Sequence, residues 1–491
     1  MTDQMESMEP RALWRNFLDL SRIPRNSGHE AAAAGWVMDR ARALDCAVSQ
    51  DAAGNVLIRK AAAPGRERAA TTALQAHVDM VCEKNEGTAH DFSKDPIEVV
   101  RDGDLLRARG TTLGADDGVG VAAALAVLES REVQHGPLEV LVTVGEELGL
   151  AGARRLGPGI LAADFLLNLD SGRAGFITIG CSGGLDGNAR RRVRTVPAGA
   201  GKAPYRIKVS GLKGGHSGGD INQGRGNAIQ LLARALWTLG PAHGLELASL
   251  DGGNKRNAIP REAFAVVLLD PARERDLRAG LRALQDDVRA ALGSFDPEAS
   301  FALEEAPAAG EVRNVFDPRD ARIVVDFLYA MMHGVIAESP VIPGLVQTST
   351  NLAVVATHPG EVEVRVNHRS SLASAKAAVA DRVAALCELA GFELERGDGY
   401  SGWEPDPESP LAKRICAVHE ALFGRPMQLR ATHGGLECGI IGQGHPGLQM
   451  VSFGPDMWDI HTPDERLSIS STADWWKLLC AVLEDLAGAG A

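Results

Sequence analysis

The chain has 491 residues, 45% of them apolar and 23% charged, a soluble globular composition too long for one ordinary domain. Its 64 Asp and Glu outnumber 51 Lys and Arg, a formal charge of −13 that disfavours nucleic acid or an anionic membrane surface as main partner. No run approaches the roughly 18 apolar residues of a membrane helix, which excludes a spanning segment.

The amino terminus, MTDQMESMEPRALW, lacks a basic stretch followed by an apolar one, so no secretory signal is expected. Seven scattered cysteines without a C-x-x-C pair read as reduced thiols, which makes the cytoplasm the expected location. Short strand-like runs then alternate with helix: ALQAHVDMV (73–81), the buried helix VGVAAALAVLES (119–130), LEVLVTVGEE (138–147) and FLLNLDSG (165–172). This rhythm predicts an α/β domain whose sheet is covered on both faces. The basic RRRVRT (190–195) and the Gly/Pro/Ala-rich VPAGAGKAPY (196–205) read as a crossing into a second domain.

That second block holds YRIKVSG, a helix near NAIQLLARALWTL, AFAVVLLD and a charged helix over 271–292. VEVRVNHRSS (362–371) and a helix over 373–390 follow. It predicts an α+β layer with room for two similar units. After the Pro-rich YSGWEPDPESP (400–410), a helix, the strand LQMVSFG (448–454) and a final helix resume. The expected organisation is one α/β domain built from residues 1–187 and 400–491, interrupted by an inserted domain at 188–399.

Candidate acids and imidazoles stand where apolar runs stop, the place where α/β sheets collect ligands. His77 and Asp79 are spaced i, i+2 on a strand and share a side, so the carboxylate can orient the imidazole; a strand-end histidine with satisfied bonds is the plainer alternative. LGADDGVG sets Asp116 and Asp117 before a helix, where a cap is equally expected. Glu146 and Glu147 close a strand and are expected to point to opposite sides, or to be surface charge. Asp170 ends the next strand, and His461 lies in WDIHTPDE. Together these form an N/O ligand set suited to zinc, manganese or cobalt. The acids exceed the needs of one zinc, and a carboxylate bridging two ions would employ them. Such a pair activates water and polarises a carbonyl, while a free glutamate takes the proton. Other chemistries lack support: there is no H-E-x-x-H and no phosphate loop, and the Gly-rich GLKGGHSGG (211–219) lacks the spacing of a dinucleotide fingerprint.

The ordered motifs AHVDMV, GTTLGADDG, GEELGLAGA, NLDSG, GGHSGGDI, GGNKRNAIPRE, HGGLECG and IHTPDERLSISS resemble the co-catalytic metallopeptidases of the carboxypeptidase/aminoacylase/dipeptidase superfamily, and within it the aminoacyl-histidine dipeptidases. The resemblance implies a catalytic domain with a central mixed sheet flanked by helices, interrupted by a large α+β lid. It implies two divalent metal ions, zinc first and manganese or cobalt as alternatives. His77 and Asp170 would hold one ion, Glu147 and His461 the other, and Asp116 would bridge them through a residue followed by a cis peptide. Asp79 would orient His77, and Glu146 would be the general base. From the lid, His216 would stabilise the oxyanion, and Asn257, Arg369 and Gly435 would bind substrate. An aspartate at position 170 goes with the aminopeptidase and dipeptidase members. The implied activity is hydrolysis of unblocked dipeptides, Xaa-His among them, by a homodimer joined through its lids, without nucleic acid or membrane. The alternatives are an N-acyl amino acid or diamino acid deacylase on the same metals, and a silent binding protein.

Overall fold

Continuous apolar runs in the first part of the chain become strands buried on both faces, as a covered parallel sheet requires. The computed structural model describes residues 8–306 and 312–488; the first seven residues, within the segment read for a secretory signal, lie outside them. One unit comprises the chain through Cys181, Trp403–Ala431 and the chain from Leu436 onward.

Its eight-stranded sheet uses β1 (Ala47–Gln50), β2 (Val56–Lys60), β3 (Thr72–His77), β4 (Leu138–Thr143), β5 (Phe165–Asn168), β6 (Phe176–Cys181), β7 (Gln428–Thr432) and β8 (Gln449–Ser452). The spatial order is β1-β2-β4-β3-β5-β8-β6-β7. The central strands β4, β3, β5 and β8 run parallel, while β2 and β6 flank them antiparallel. Every side chain of β3 and β4 is buried. Helices α1 (Arg11–Leu20) and α2 (Ala115–Glu129) pack together, and α2 also lies on β3. From Ala115 to Leu128 α2 is buried on every face, as the uniformly apolar segment predicts.

The parallel strands end in register. His77 pairs with Thr143, Gln75 with Asn168, and Asn168 with Ser452. Their carboxyl ends therefore form one rim, the usual ligand site of such sheets. A hairpin of Met457–Trp458 against Arg466–Ser468, part of a separate four-stranded sheet, carries His461 in its turn.

The second unit, Ser182–Gly402 with Thr432–Gly435, is built on a nine-stranded sheet. In both halves three strands separate two α-helices, with strand before the first helix and after the second. The first half spans Ala203–Ser210 to Ser300–Glu305 and the second Asn314–Phe316 to Glu393–Arg396. The units divide after Cys181 and Gly402, where composition places the joints at 187 and 399. The basic stretch is not a crossing but belongs to the inserted unit. Gly183–Arg192 is a strand of its sheet, and Arg191 and Arg194 pair with Asp320 at 2.8 and 3.1 Å. Arginines that look like linker charge are therefore holding a helix to the sheet. Among the described residues, no helix is long and apolar enough to cross a membrane.

Candidate metal centre

The sheet rim gathers seven acids and imidazoles anticipated from the sequence. His77, at the end of β3, is 1% exposed. Its Nδ1 lies 3.2 Å from the Asp79 carbonyl and 3.5 Å from Asp79 Oδ1, while Nε2 faces Asp116 Oδ1 at 3.2 Å and Asp170 Oδ1 at 4.0 Å. A proton held on Nδ1 by Asp79 leaves the Nε2 lone pair for a ligand. The other oxygen of Asp116, Oδ2, lies 3.2 Å from His461 Nε2, which is also 2.7 Å from Glu147 Oε1. One carboxylate thus stands between two imidazoles, an oxygen to each.

Asp79 does more than face His77. It accepts the Ser27 hydroxyl at 2.8 Å and the backbone N–H groups of Glu146 and Glu147 at 3.0 and 3.2 Å. The expectation that the two glutamates diverge from a strand fails for this reason. β4 ends at Thr143, and the pair sits in a turn folded onto Asp79, where one ligand atom from each lies within 4.8 Å of the other and of His77. The Asp116–Asp117 ambiguity resolves by division of labour. Asp117 caps α2, accepting the Gly120 N–H at 3.1 Å, and Asp116 turns into the rim; their peptide is cis.

Three groups of donors result: His77, Asp116 and Asp170; His77, Glu146 and Glu147; and Asp116, Glu147 and His461. The first and third share Asp116. All donors are nitrogen or carboxylate oxygen, and within each group they lie within 4.8 Å of one another, so the set fits two divalent cations such as zinc, manganese or cobalt. The electrostatics point the same way. Burial raises Asp116, but His461 and His77 pull it below the ordinary carboxylate range. Burial, reinforced by Asp116, pushes Asp170 well up, and burial with Glu147, Glu437 and Asp116 does the same to Glu146, opposed in both by His77. Crowded acids with too little positive charge are a cation site.

Several supporting residues escaped the sequence reading. Gln75, two residues before His77, donates to Glu437 Oε2 at 2.6 Å and accepts from Asn168 at 2.5 Å; Thr143 also donates to Glu437 at 2.6 Å. Burial, offset in part by His77 and the Thr143 bond, pushes Glu437 up to about 7. Arg25 is fully buried and donates to the carbonyls of Val78 and Asp79 at 2.9 and 3.1 Å and of Gly114 at 2.5 Å. Gly114 has φ 69°, and a Cβ there would lie 2.4 Å from the Arg25 guanidinium, so only glycine serves. Position was the available signal: Glu437 follows HGGL in one motif.

In the inserted unit, His216 pairs with Ala258 on a two-stranded ribbon, and the Ser217 N–H donates to the Asn257 carbonyl at 2.8 Å. Ser217 Oγ also accepts from Arg369 Nε at 3.3 Å, and Arg369 Nη1 donates to the Tyr400 hydroxyl at 3.2 Å. The Tyr400 ring packs so closely on Gly435 that a Cβ there would lie 2.9 Å from it. His216, Asn257, Arg369 and Gly435 are therefore linked through Ser217 and Tyr400, neither of which sequence reasoning identified.

Comparison with known proteins agrees with this geometry. The chain is 39% identical over 485 residues to the cytosol non-specific dipeptidase of Escherichia coli, covering 98% of this chain and 99% of that one. It superposes on the crystal structure of aminoacylhistidine dipeptidase from Vibrio alginolyticus with TM-score 0.87 and 38% identity, over 98% and 97% of the two chains. The aminopeptidase PepT of Bacillus cereus shares the fold, with TM-score 0.59 at 17% identity and coverage of 98% and 99%. The model of peptidase family M20/M25/M40 matches residues 73–485. A rim built for two cations and a match across nearly the whole chain lead to one conclusion: this protein belongs to peptidase family M20/M25/M40.

Proposed function

We propose that this protein is a cytosolic dipeptidase that hydrolyses unblocked dipeptides, Xaa-His among them, at a pair of divalent metal ions. The observation that carries the reading is Asp116, one oxygen facing His77 and the other His461, each at 3.2 Å. The relatives from Escherichia coli and Vibrio alginolyticus are both dipeptidases, which supports the substrate class, and the first is a cytosol enzyme, which supports the setting.

In this reading His77 and Asp170 hold one ion, Glu147 and His461 the second, and Asp116 is shared. Two ions held there would supply Lewis acidity toward a water and the scissile carbonyl. Glu146, raised by burial, takes the proton of the attacking water and returns it to the leaving amine. Asp79 orients His77 and, through its two backbone bonds, the turn that carries the base. In the lid, His216 Nδ1 accepts the N–H groups of Gly218 and Gly219 at 3.2 and 3.1 Å. That leaves the ring proton on Nε2, the donor an oxyanion needs. Arg369 offers the substrate carboxylate a planar fork, with Asn257 and Gly435 beside the peptide backbone.

The quaternary reading is a homodimer formed through the lid. It is supported by the strand Gly334–Glu338, whose Val335 and Ile336 are more than a third exposed. Sedimentation at micromolar concentration checks it.

The test of function is hydrolysis of Ala-His, β-Ala-His, Leu-Gly, a tripeptide, N-acetyl-Ala-His and succinyl-diaminopimelate by chelator-stripped protein, before and after adding zinc, manganese or cobalt. Metal-dependent cleavage of the free dipeptides alone is expected. Cleavage of only the N-acylated compounds would move the protein to the deacylases, and silence with two metals bound would make it a binding protein.

A further inference from the structure

Glu465 lies four residues after His461, and its carboxylate is 2% exposed. It accepts four consecutive backbone N–H groups. Leu113 and Gly114 donate to Oε2 at 2.7 and 2.9 Å, and Ala115 and Asp116 donate to Oε1 at 2.8 and 3.3 Å. The loop so gripped delivers Asp116. On its other side the buried Arg25 donates to the Gly114 carbonyl, so the loop is held from both sides.

The opposite end of the same short segment carries His461. Its backbone is left-handed, φ 65°, as is that of Asp459 at φ 50°, a conformation uncommon outside glycine. The Glu465 N–H closes the turn on the Thr462 carbonyl at 3.1 Å, and Arg466–Ser468 then pairs with Leu105–Ala108. One carboxylate therefore links the turn that presents His461 to the loop that presents Asp116, whose side chains meet at 3.2 Å.

We propose that Glu465 is a positioning residue that sets the separation of Asp116 and His461 and thereby the affinity of the second metal position. The proposal rests on Asp116 and His461 being metal ligands. Two of the three donors of the Asp116, Glu147 and His461 group hang on Glu465. Of the His77, Asp116 and Asp170 group only one does. Loss of the anchor should weaken the two positions unequally.

The experiment is zinc titration of chelator-stripped wild type, Glu465→Gln and His461→Ala, followed by calorimetry and by metal analysis after gel filtration. Gln keeps the shape but turns an NH2 against two of the four N–H groups. Wild type should take up two equivalents. Glu465→Gln should keep one at wild-type affinity and bind the second at least tenfold more weakly, the usual scale for residues that orient ligands. A merely structural role would lower thermal stability and leave both zinc affinities equal to wild type, which overturns the proposal. If His461→Ala still takes up two equivalents tightly, the metal assignment itself fails; if His461→Ala loses one and Glu465→Gln loses none, only the positioning role fails. Should Glu465→Gln not fold, amide exchange in stripped wild type decides. Leu113, Gly114 and Ala115 should be protected without metal, and free exchange there until zinc is added overturns the proposal.

Discussion

The backbone N–H of Glu146 donates to Asp79 Oδ1 at 3.0 Å, so the residue that orients His77 also fixes the turn carrying the proposed base. Asp79→Ala releases both at once. Zinc affinity should fall 10–100-fold, the usual cost of losing such a partner, and kcat should fall further than in a variant that disturbs metal binding alone. Metal titration beside steady-state kinetics reads the two effects separately.

Glu146→Gln keeps the shape and removes the base. Turnover of Ala-His should drop by about 10²–10⁴ while two zinc equivalents remain bound. Full activity in this variant removes Glu146 from the mechanism.

Protons compete with metal for the imidazoles. Burial lowers His461, but Asp116 and Glu147 outweigh it and push its pKa up to about 11 without metal; His77 is likewise raised well above its ordinary value by Asp116 and Asp79 against burial. Any proton that either imidazole holds on its ligating nitrogen must leave before metal binds. Zinc affinity should fall with decreasing pH, by about tenfold per unit for each imidazole involved. Calorimetry in buffers of different ionisation enthalpy counts the protons released.

Arg369 is held by Ser217 and Tyr400. Tyr400→Phe removes one of those contacts without touching a metal ligand. If Arg369 holds the substrate carboxylate in ground state and transition state alike, KM for dipeptides should rise several-fold with kcat nearly unchanged. A fall in kcat at constant KM would argue against the carboxylate role.

Glu363 provides a pH test of the lid itself. It is 5% exposed. Burial raises its pKa, but Arg365, Asn188 and His358 bring it down to about 2 from an ordinary 4.5. A depressed carboxylate pKa means stabilisation that is fully present above about 4.5 and lost as pH falls through about 2. Glu363→Gln should therefore cost about 1–3 kcal/mol near neutrality, with the gap closing in acid. Urea unfolding at pH 7 and pH 3 shows whether it does.

The metal rim was legible because each ligand-bearing segment breaks an apolar run: His77, Glu147 and Asp170 follow strands, and Asp116 precedes an all-apolar helix. What was not legible shares a physical cause. Gln75 and Glu437 meet across 362 positions of sequence, and no local pattern announces such a pair. The strand Val346–His358 hid for a related reason. Its segment TSTN is polar yet buried, with Thr348, Ser349 and Thr350 bonded to Ser370, His433 and His368. Such a strand breaks the alternation by which strands are recognised. The basic stretch at 190–195 read as a crossing because paired arginines on a strand and loose charge on a linker look alike in sequence.

His461 reaches the rim from a hairpin encoded after the whole inserted unit, whereas the other donors lie before it. During synthesis the ribosome delivers His77, Asp116, Glu147 and Asp170 long before their last companion. A prematurely terminated chain would lack the imidazole that completes the group with Asp116 and Glu147, along with Glu465.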